Sequence, residues 1–585
     1  MPGFVGICSN RLPQSDEALK EAVHATIYSH KCSSNTLLSD NNFILEKSFF
    51  NFLEIDRMEA IVDGCVAYVN GEIYNQSNLT KDAGEVFADT LLRSYREDTL
   101  ETLLPKVNGI FNAIIYDRNK KILLLITDRY GLKPIYYSHK NNCLSLAPEV
   151  KCFSFFRSFH LQIRKDVIDC FMQLEHFMGN ETWLKDVEIA APSTIYTYSF
   201  EQDSFTSRRY WSWSKIKIAK ISLEEASERM GELLENAVKS CSESNSSIGI
   251  ALSGGSDSRA LLAAVHDKKP VTYTFGTPKS KDMKIASRVS KMAGVKHYSF
   301  DTYTSDWLTS RFSGVWKTDG MLNMYHMHYS HLMGEIAKIM DINLSGFLGD
   351  AVLGGSYLEK KGKTFLNKRI DNSIAQHYYG SHFERCSTKD SFFDLDKIDP
   401  YLFYNRGRRM IGMGAEEPYK TVPQRLPFMD IDLMDLSYSL PDEYRVHSKV
   451  YNKALLLKYP NFYVDIPHAT SGVPISDHPS VLQQFLKKYN RLLWIAKYKL
   501  GFQTSYVNVH NWLKEPATAA FVSMILDPKN AIYPSYTGHN YLKEFVVPHL
   551  NGKQNYMKQI MGALTLEIWF QQILNKKFLT DPGES

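Results

Sequence analysis

The chain has 585 residues, 44% hydrophobic and 23% charged, with a formal net charge of +4. That length exceeds one ordinary core, so two domains are expected, and so small a net charge gives no strong overall field that calls for nucleic acid or an anionic membrane. Eight cysteines without a single CxxC pair exclude a zinc framework and a disulfide scaffold and point to a reducing cytoplasm.

The opening MPGFVGICSN lacks a basic stretch followed by an apolar one, so no secretory signal is expected there. The longest apolar runs, such as ILLLI at 122–126, have the length of a strand rather than of a membrane span. Segments 65–69, 110–116, 122–127 and 135–137 are rich in β-branched and aromatic residues and bounded by Gly, Asn or Asp, which predicts strands. A helical pattern covers 84–96. A further helix is predicted over 223–240, and the domain boundary is placed near residue 212, ahead of it. From 248 the texture becomes strand (248–252), Gly-rich turn, helix (259–266), strand (271–275), amphipathic helix (282–293) and strand (297–300). This alternation predicts a parallel sheet covered by helices. Beyond about 360 the chain reads as mostly helical.

The turn Ser253-Gly254-Gly255-Ser256-Asp257-Ser258 follows an apolar strand and feeds a helix. Backbone N–H groups converge on an anion at such a place, and adjacent glycines let the main chain approach phosphate oxygens. An aspartate in a phosphate loop repels its ligand unless a cation sits between them, so Asp257 predicts a magnesium ion. No lysine follows the glycines, so this is not the GxxxxGK[ST] loop. A second strand, 342–344, runs into Ser345-Gly346-Phe347-Leu348-Gly349-Asp350. Two loops of this kind meet at the carboxyl ends of a doubly wound sheet, each supplying one carboxylate. The bland alternatives are a plain Gly/Ser turn, and Asp350 as a helix N-cap. Farther on, RLPFMD (425–430) precedes a helix, and Lys449 and Lys453 stack on one face of another.

These residues resemble a family. SGGSDS is similar to the pyrophosphate loop of asparagine synthetase-like ATP pyrophosphatases, SGFLGD to their SGEGSDE loop and RLPFMD to their RVPFLD. In the first half, Asn70-Gly71-Glu72-Ile73-Tyr74-Asn75 resembles the NGEIYN of class II glutamine amidotransferases. Asp128-Arg129-Tyr130-Gly131-Leu132-Lys133-Pro134-Ile135-Tyr136-Tyr137 resembles their DRxGxKPLYY segment, and Tyr210-Trp211 their closing YW. The resemblance implies an N-terminal Ntn-type αββα sandwich over 1–212. Over 213–585 it implies a doubly wound, adenine nucleotide α-hydrolase-like parallel sheet with helical additions. It also implies an AMP-forming carbon–nitrogen ligase that adenylates a small-molecule or peptide carboxylate and passes it to an amine or ammonia.

Under that resemblance Asp257 and Asp350 hold magnesium on ATP. Leu252, Ser253, Gly254, Gly255, Ser256, Ser258, Phe275, Gly276, Gly346, Phe347 and Gly349 line the nucleotide, and Lys453 contacts pyrophosphate. Three departures accompany it. Pro2 stands where the family's glutaminase carries its nucleophilic cysteine, the arginine–glycine motif for glutamine is not visible between 30 and 60, and Ala83 stands where an acid is expected. Phe347 replaces the glutamate that handles the amine's proton, as an aromatic does in β-lactam synthetases. No second lysine stands in Pro467–Val473, where His468 and Thr470 are the candidates. An amide-forming ligase without its own glutaminase is therefore expected. The alternatives are an asparagine synthetase fed by ammonia or glutamine, a cyclase of the β-lactam or lasso-peptide type, and a degenerate binding protein. A homodimer stays open.

Overall fold

The computed structural model describes residues 2–10, 12, 17–53, 59–82, 84–157, 159–278, 280–476, 480–499 and 507–579. Ala83 and residues 54–58, within the stretch searched for the arginine–glycine motif, lie outside them.

Two antiparallel six-stranded sheets face each other in the first half. One runs Glu188–Ile189, Tyr136–Lys140, Cys143–Ala147, Phe4–Ser9, Phe43–Phe50, Cys32–Ser39 in spatial order. The other runs Ser204–Arg209, Thr194–Ser199, Ile122–Thr127, Gly109–Asp117, Cys65–Ile73, Glu59–Val62. Side chains alternate between faces with the period of two that a strand imposes. Thus Val66, Tyr68, Ile114, Tyr116, Leu123 and Leu125 meet Phe4, Phe43, Leu45, Leu144 and Leu146 between the sheets. Their neighbours Ala67, Val69, Ala113 and Ile115 face the other way, onto helix Phe87–Arg96. Helix Glu17–His24 covers the opposite sheet through Leu19, Ala22 and Val23. The expected αββα sandwich is present.

The second half holds a five-stranded parallel sheet in the order His297–Asp301, Val271–Gly276, Ile248–Ala251, Ile342–Leu344, Gln424–Arg425. The chain starts on the central strand, moves outward in one direction, then returns to build the other side. The switch point therefore falls between Ile248–Ala251 and Ile342–Leu344, the two strands that deliver the glycine loops. Ser222 caps helix Leu223–Cys241 by accepting from the Glu225 N–H, and Gly294 ends helix Lys281–Ala293 in the left-handed conformation. Two expectations shift. The helix placed at 259–266 spans Ser256–Val265, so Ser256, Asp257 and Ser258 form its first turn rather than a loop. The helix placed at 84–96 begins at Phe87.

The halves share one apolar core. It runs from the outer face of the second sandwich sheet through Tyr130, Trp211 and Trp213 to Leu252, Leu344 and Tyr438. Arg129, packed over the Trp211 ring at 4.0 Å, pairs with Asp435 on helix Ile431–Ser439. Asp430 caps that helix and also accepts from Asn108 Nδ2 at 2.5 Å.

Candidate active site

At the carboxyl end of Ile248–Ala251 the turn is held by its own hydroxyls. The Ser253 N–H donates to Ser258 Oγ at 3.0 Å and the Gly255 N–H to Ser253 Oγ at 3.1 Å. The first turn of the following helix presents backbone N–H groups that have no partner within the helix, the arrangement that receives an anion. Gly254 is not open to a ligand as its sequence context suggested. Its N–H donates to Asp282 Oδ1 at 3.0 Å, its carbonyl accepts the Ala469 N–H at 2.9 Å, and a Cβ here would lie 2.4 Å from that of Ala469. Gly254 is thus required by the close approach of segment 467–473. Gly255, whose Cβ would meet only Ser253 Oγ, borders the open side.

Buried Arg259 fastens that segment down. Its guanidinium donates to the carbonyls of Gly254, Phe462, Ile466 and Pro467 at 3.1–3.2 Å. His468 and Thr470 lie in the turn so held, with the Thr470 N–H donating to His468 Nδ1 at 3.3 Å.

The two aspartates meet. Asp257 Oδ2 accepts the Asp350 N–H at 3.0 Å, and Asp257 Oδ1 accepts the Tyr451 hydroxyl at 3.0 Å. Asp350 Oδ1 in turn accepts the Ser448 hydroxyl at 3.0 Å. Burial, then the neighbouring Asp350 carboxylate, pushes the Asp257 carboxyl up to about 7. The glycines of the second loop make this closeness possible. A Cβ on Gly349 would fall 2.6–2.9 Å from the Asp257 carboxylate, and one on Gly354 would fall 2.3 Å from Asp350 Oδ1. Leu348, immediately before Gly349, takes a left-handed φ of 58°, a strained choice for a branched side chain. Asp350 is the second residue of helix Gly349–Leu353, not its N-cap. Two like charges with an added hydrogen-bond network and an open side suit a divalent cation shared with phosphate oxygens.

Lys453 turns away from Tyr451 on their shared helix. It lies on helix Lys449–Lys458 two residues beyond Tyr451, about 200° around the axis, and its Nζ donates to Glu224 Oε1 at 2.5 Å. Phe275, half-buried at the carboxyl end of its strand beside Gly276, stacks on Tyr329 with ring centroids 4.3 Å apart. Phe347 is buried and borders a narrow apolar cavity between the halves, lined also by Ile110, Leu132, Met413, Tyr419 and Leu426. Sequence reading missed Tyr451, Ser448, Asp282 and Arg259. Only Ser448 carried a local signal, one residue ahead of a helix.

In the first half, Pro2 is buried ahead of strand Phe4–Ser9. Cys8 is no substitute nucleophile, because full burial raises its thiol well above the usual range. Glu72 accepts a bidentate contact from Arg425, with Nη2 at 2.6 Å and Nε at 2.8 Å from Oε1. That pair joins the NGEIYN and RLPFMD motifs across the two halves. Asp128 accepts the N–H groups of Tyr130, Leu132 and Lys133 at 3.0–3.1 Å. Both polar atoms of the buried Asn70 carboxamide lack a hydrogen-bond partner among the described residues.

Residues 1–211 match the glutamine amidotransferase domain and residues 229–394 match asparagine synthase. Asparagine synthetase [glutamine-hydrolyzing] 1 of Bacillus subtilis (strain 168) is 20% identical over 581 residues, 88% of this chain and 86% of that protein. Putative asparagine synthetase [glutamine-hydrolyzing] 1 of Methanocaldococcus jannaschii is 29% identical over 430 residues, 70% and 68% of the two chains. Asparagine synthetase B [glutamine-hydrolyzing] of Escherichia coli (strain K12) is 26% identical over 392 residues, 60% and 65%. With both modules in order on one chain, the protein belongs to the asparagine synthetase-like family of ATP-dependent carbon–nitrogen ligases.

Proposed function

We propose that residues 213–585 form a ligase unit that adenylates a carboxylate, and that residues 1–212 form an amidotransferase-like unit without glutaminase activity. The carrying observation is the direct hydrogen bond between Asp257 and Asp350, which come from separate strand ends on either side of the switch point. Asp257 and Asp350 would hold a magnesium ion, which when bound neutralises charge on the ATP triphosphate. Gly255, the Ser253 hydroxyl and the N–H groups opening helix Ser256–Val265 would receive the pyrophosphate oxygens. Tyr451 and Ser448 keep the two carboxylates oriented. The substrate carboxylate attacks the α-phosphorus, the bond to pyrophosphate breaks, and an acyl-adenylate remains. An amine then attacks the acyl carbon, the bond to AMP breaks, and the amine loses a proton. Phe347 offers no acceptor for that proton, and no lysine stands in 467–473. A different nucleophile from the family's usual one fits these changes.

Pro2 at the cysteine position and Glu72 tied to Arg425 support an amine source other than this chain's own glutaminase. The apolar cavity bordered by Phe347 favours one second reading, in which ammonia made elsewhere is used to form asparagine. Eight free cysteines, seven of them buried, fit a cytoplasmic setting.

The test is ATP–pyrophosphate exchange across aspartate, amino-acid analogues, sugar acids and peptides. Exchange with a carboxylate other than aspartate supports the first reading, and exchange with aspartate alone selects the second. ATP binding without any exchange would select a degenerate binding protein instead.

A further inference from the structure

Helix Val481–Lys499 follows the segment that lies on the phosphate turn, and it carries the most exposed apolar stripe among the described residues. Val481, Leu482, Phe485, Leu486, Tyr489, Leu492 and Leu493 recur at helical spacing along one face. Val481 is 85% exposed, Phe485 63% and Leu492 67%. Isolated exposed leucines are ordinary, but a continuous stripe of seven is a contact surface without its contact. The helix itself is specified locally. The Gln483 N–H donates to Ser480 Oγ at 3.2 Å, and Gln483 Oε1 accepts the Ser480 N–H at 2.9 Å, a reciprocal cap.

Charge tells which contact is missing. Within 481–499 the basic residues are Lys487, Lys488, Arg491, Lys497 and Lys499, and there is no Asp or Glu; none occurs between Asp477 and Glu515. The near-neutral balance of the whole chain conceals this concentration. Two copies pairing along the stripe would bring the basic flanks of both together, which disfavours self-association. A peptide helix docks into a groove, whereas this surface is the convex face of one helix. A convex apolar stripe flanked by lysine and arginine matches a helix lying in the plane of a lipid interface.

We propose that helix Val481–Lys499 binds the surface of an anionic membrane, with its apolar stripe among the acyl chains and the exposed Lys488 and Arg491 at the headgroups. The protein sits on the bilayer and does not cross it. No helix among the described residues is long and apolar enough to span a membrane. The attachment reaches the phosphate turn through two contacts. Asn490 Nδ2 donates to the Ser471 carbonyl at 2.9 Å, and the Ala469 N–H donates to the Gly254 carbonyl at 2.9 Å. The proposal does not depend on which carboxylate is activated.

The test is sedimentation of the full chain with vesicles of phosphatidylglycerol and, in parallel, of phosphatidylcholine. The chain is expected to pellet with the first and not the second, and raised salt should weaken binding. Phe485→Asp and Leu492→Asp should each lower binding about tenfold or more, and Lys488→Glu with Arg491→Glu should lower it further. Ile218→Asp, at an exposed site elsewhere, should leave binding unchanged. Three results would overturn the proposal: no pelleting with phosphatidylglycerol, equal pelleting of Phe485→Asp, or a dimer in solution that Phe485→Asp dissociates. Thermal unfolding of each variant shows whether a loss of binding reflects a loss of fold.

Discussion

The two halves keep family motifs in opposite physical states. In the first half the motif side chains are mostly satisfied by the protein itself: Glu72 by Arg425, Asp128 by backbone N–H groups, Arg129 by Asp435. In the second half Asp257 and Asp350 are pressed together, and the Asp257 carboxyl is pushed up to about 7 by burial and by its neighbour. A motif that is internally neutralised persists because the fold needs it. A motif left with excess like charge at a strand end is arranged for something that arrives from outside. Asn70 departs from the first half's pattern, both polar atoms of its buried carboxamide lacking a partner among the described residues.

The sharpest way to break the contrast is to remove each kind of charge. Asp257→Asn or Asp350→Asn is expected to lower ATP–pyrophosphate exchange by about a thousandfold, the scale of losing preorganised stabilisation at a transferring phosphoryl group. Pro2→Ala should leave exchange unchanged. Glu72→Gln should act on the fold, because it leaves the buried Arg425 guanidinium without its counter-ion; a loss of about 3–5 kcal/mol in denaturant unfolding is expected. An Asp257→Asn variant that loses stability but keeps exchange would reverse the assignment.

The contact between the halves supplies a smaller effect. Burial pushes the His176 imidazole down to about 4, where its Nδ1 lies 2.8 Å from the Phe177 carbonyl. The folded state therefore holds it neutral while the unfolded chain protonates it near 6.5, so its contribution is intact above pH 6.5 and is lost as pH falls toward 4. The unfolding free energy should drop by up to about 3 kcal/mol over that window. The drop should be smaller in His176→Gln, measured by urea denaturation at each pH. The smallest effect concerns the hydroxyls behind the aspartates. Tyr451→Phe and Ser448→Ala should raise the magnesium concentration needed for half-maximal exchange by about tenfold to a hundredfold, the worth of one hydrogen bond to a charged group, with little change in melting temperature. An equal fall in exchange at every magnesium level would mean that these hydroxyls serve only packing.

Much of this was legible before any coordinates. Composition marked the strands at 65–69, 110–116 and 122–127, while the sandwich they build came from the resemblance. The two glycine-rich strand ends gave Asp257 and Asp350 as a pair. What the sequence could not convey came from segments distant along the chain. Tyr451 reaches Asp257 across 194 positions and Arg259 reaches Pro467 across 208, and neither residue type announces such a contact. Gly254 was misassigned for the same reason: a glycine that admits a phosphate and one that admits Ala469 look alike in one dimension. Lys453 was placed by its stacking with Lys449 on one helix face and by the resemblance, and neither names its partner. The helical phase relative to Tyr451 and the Glu224 carboxylate decide where it points.

Manganese–ATP binding by the wild-type chain, Asp257→Asn and Asp350→Asn, followed by electron paramagnetic resonance of the bound manganese, needs no knowledge of the carboxylate. Binding by the wild-type chain that each substitution weakens by an order of magnitude or more is the expected result. Equal manganese–ATP affinity in all three proteins would contradict a cation held between the two strand-end aspartates.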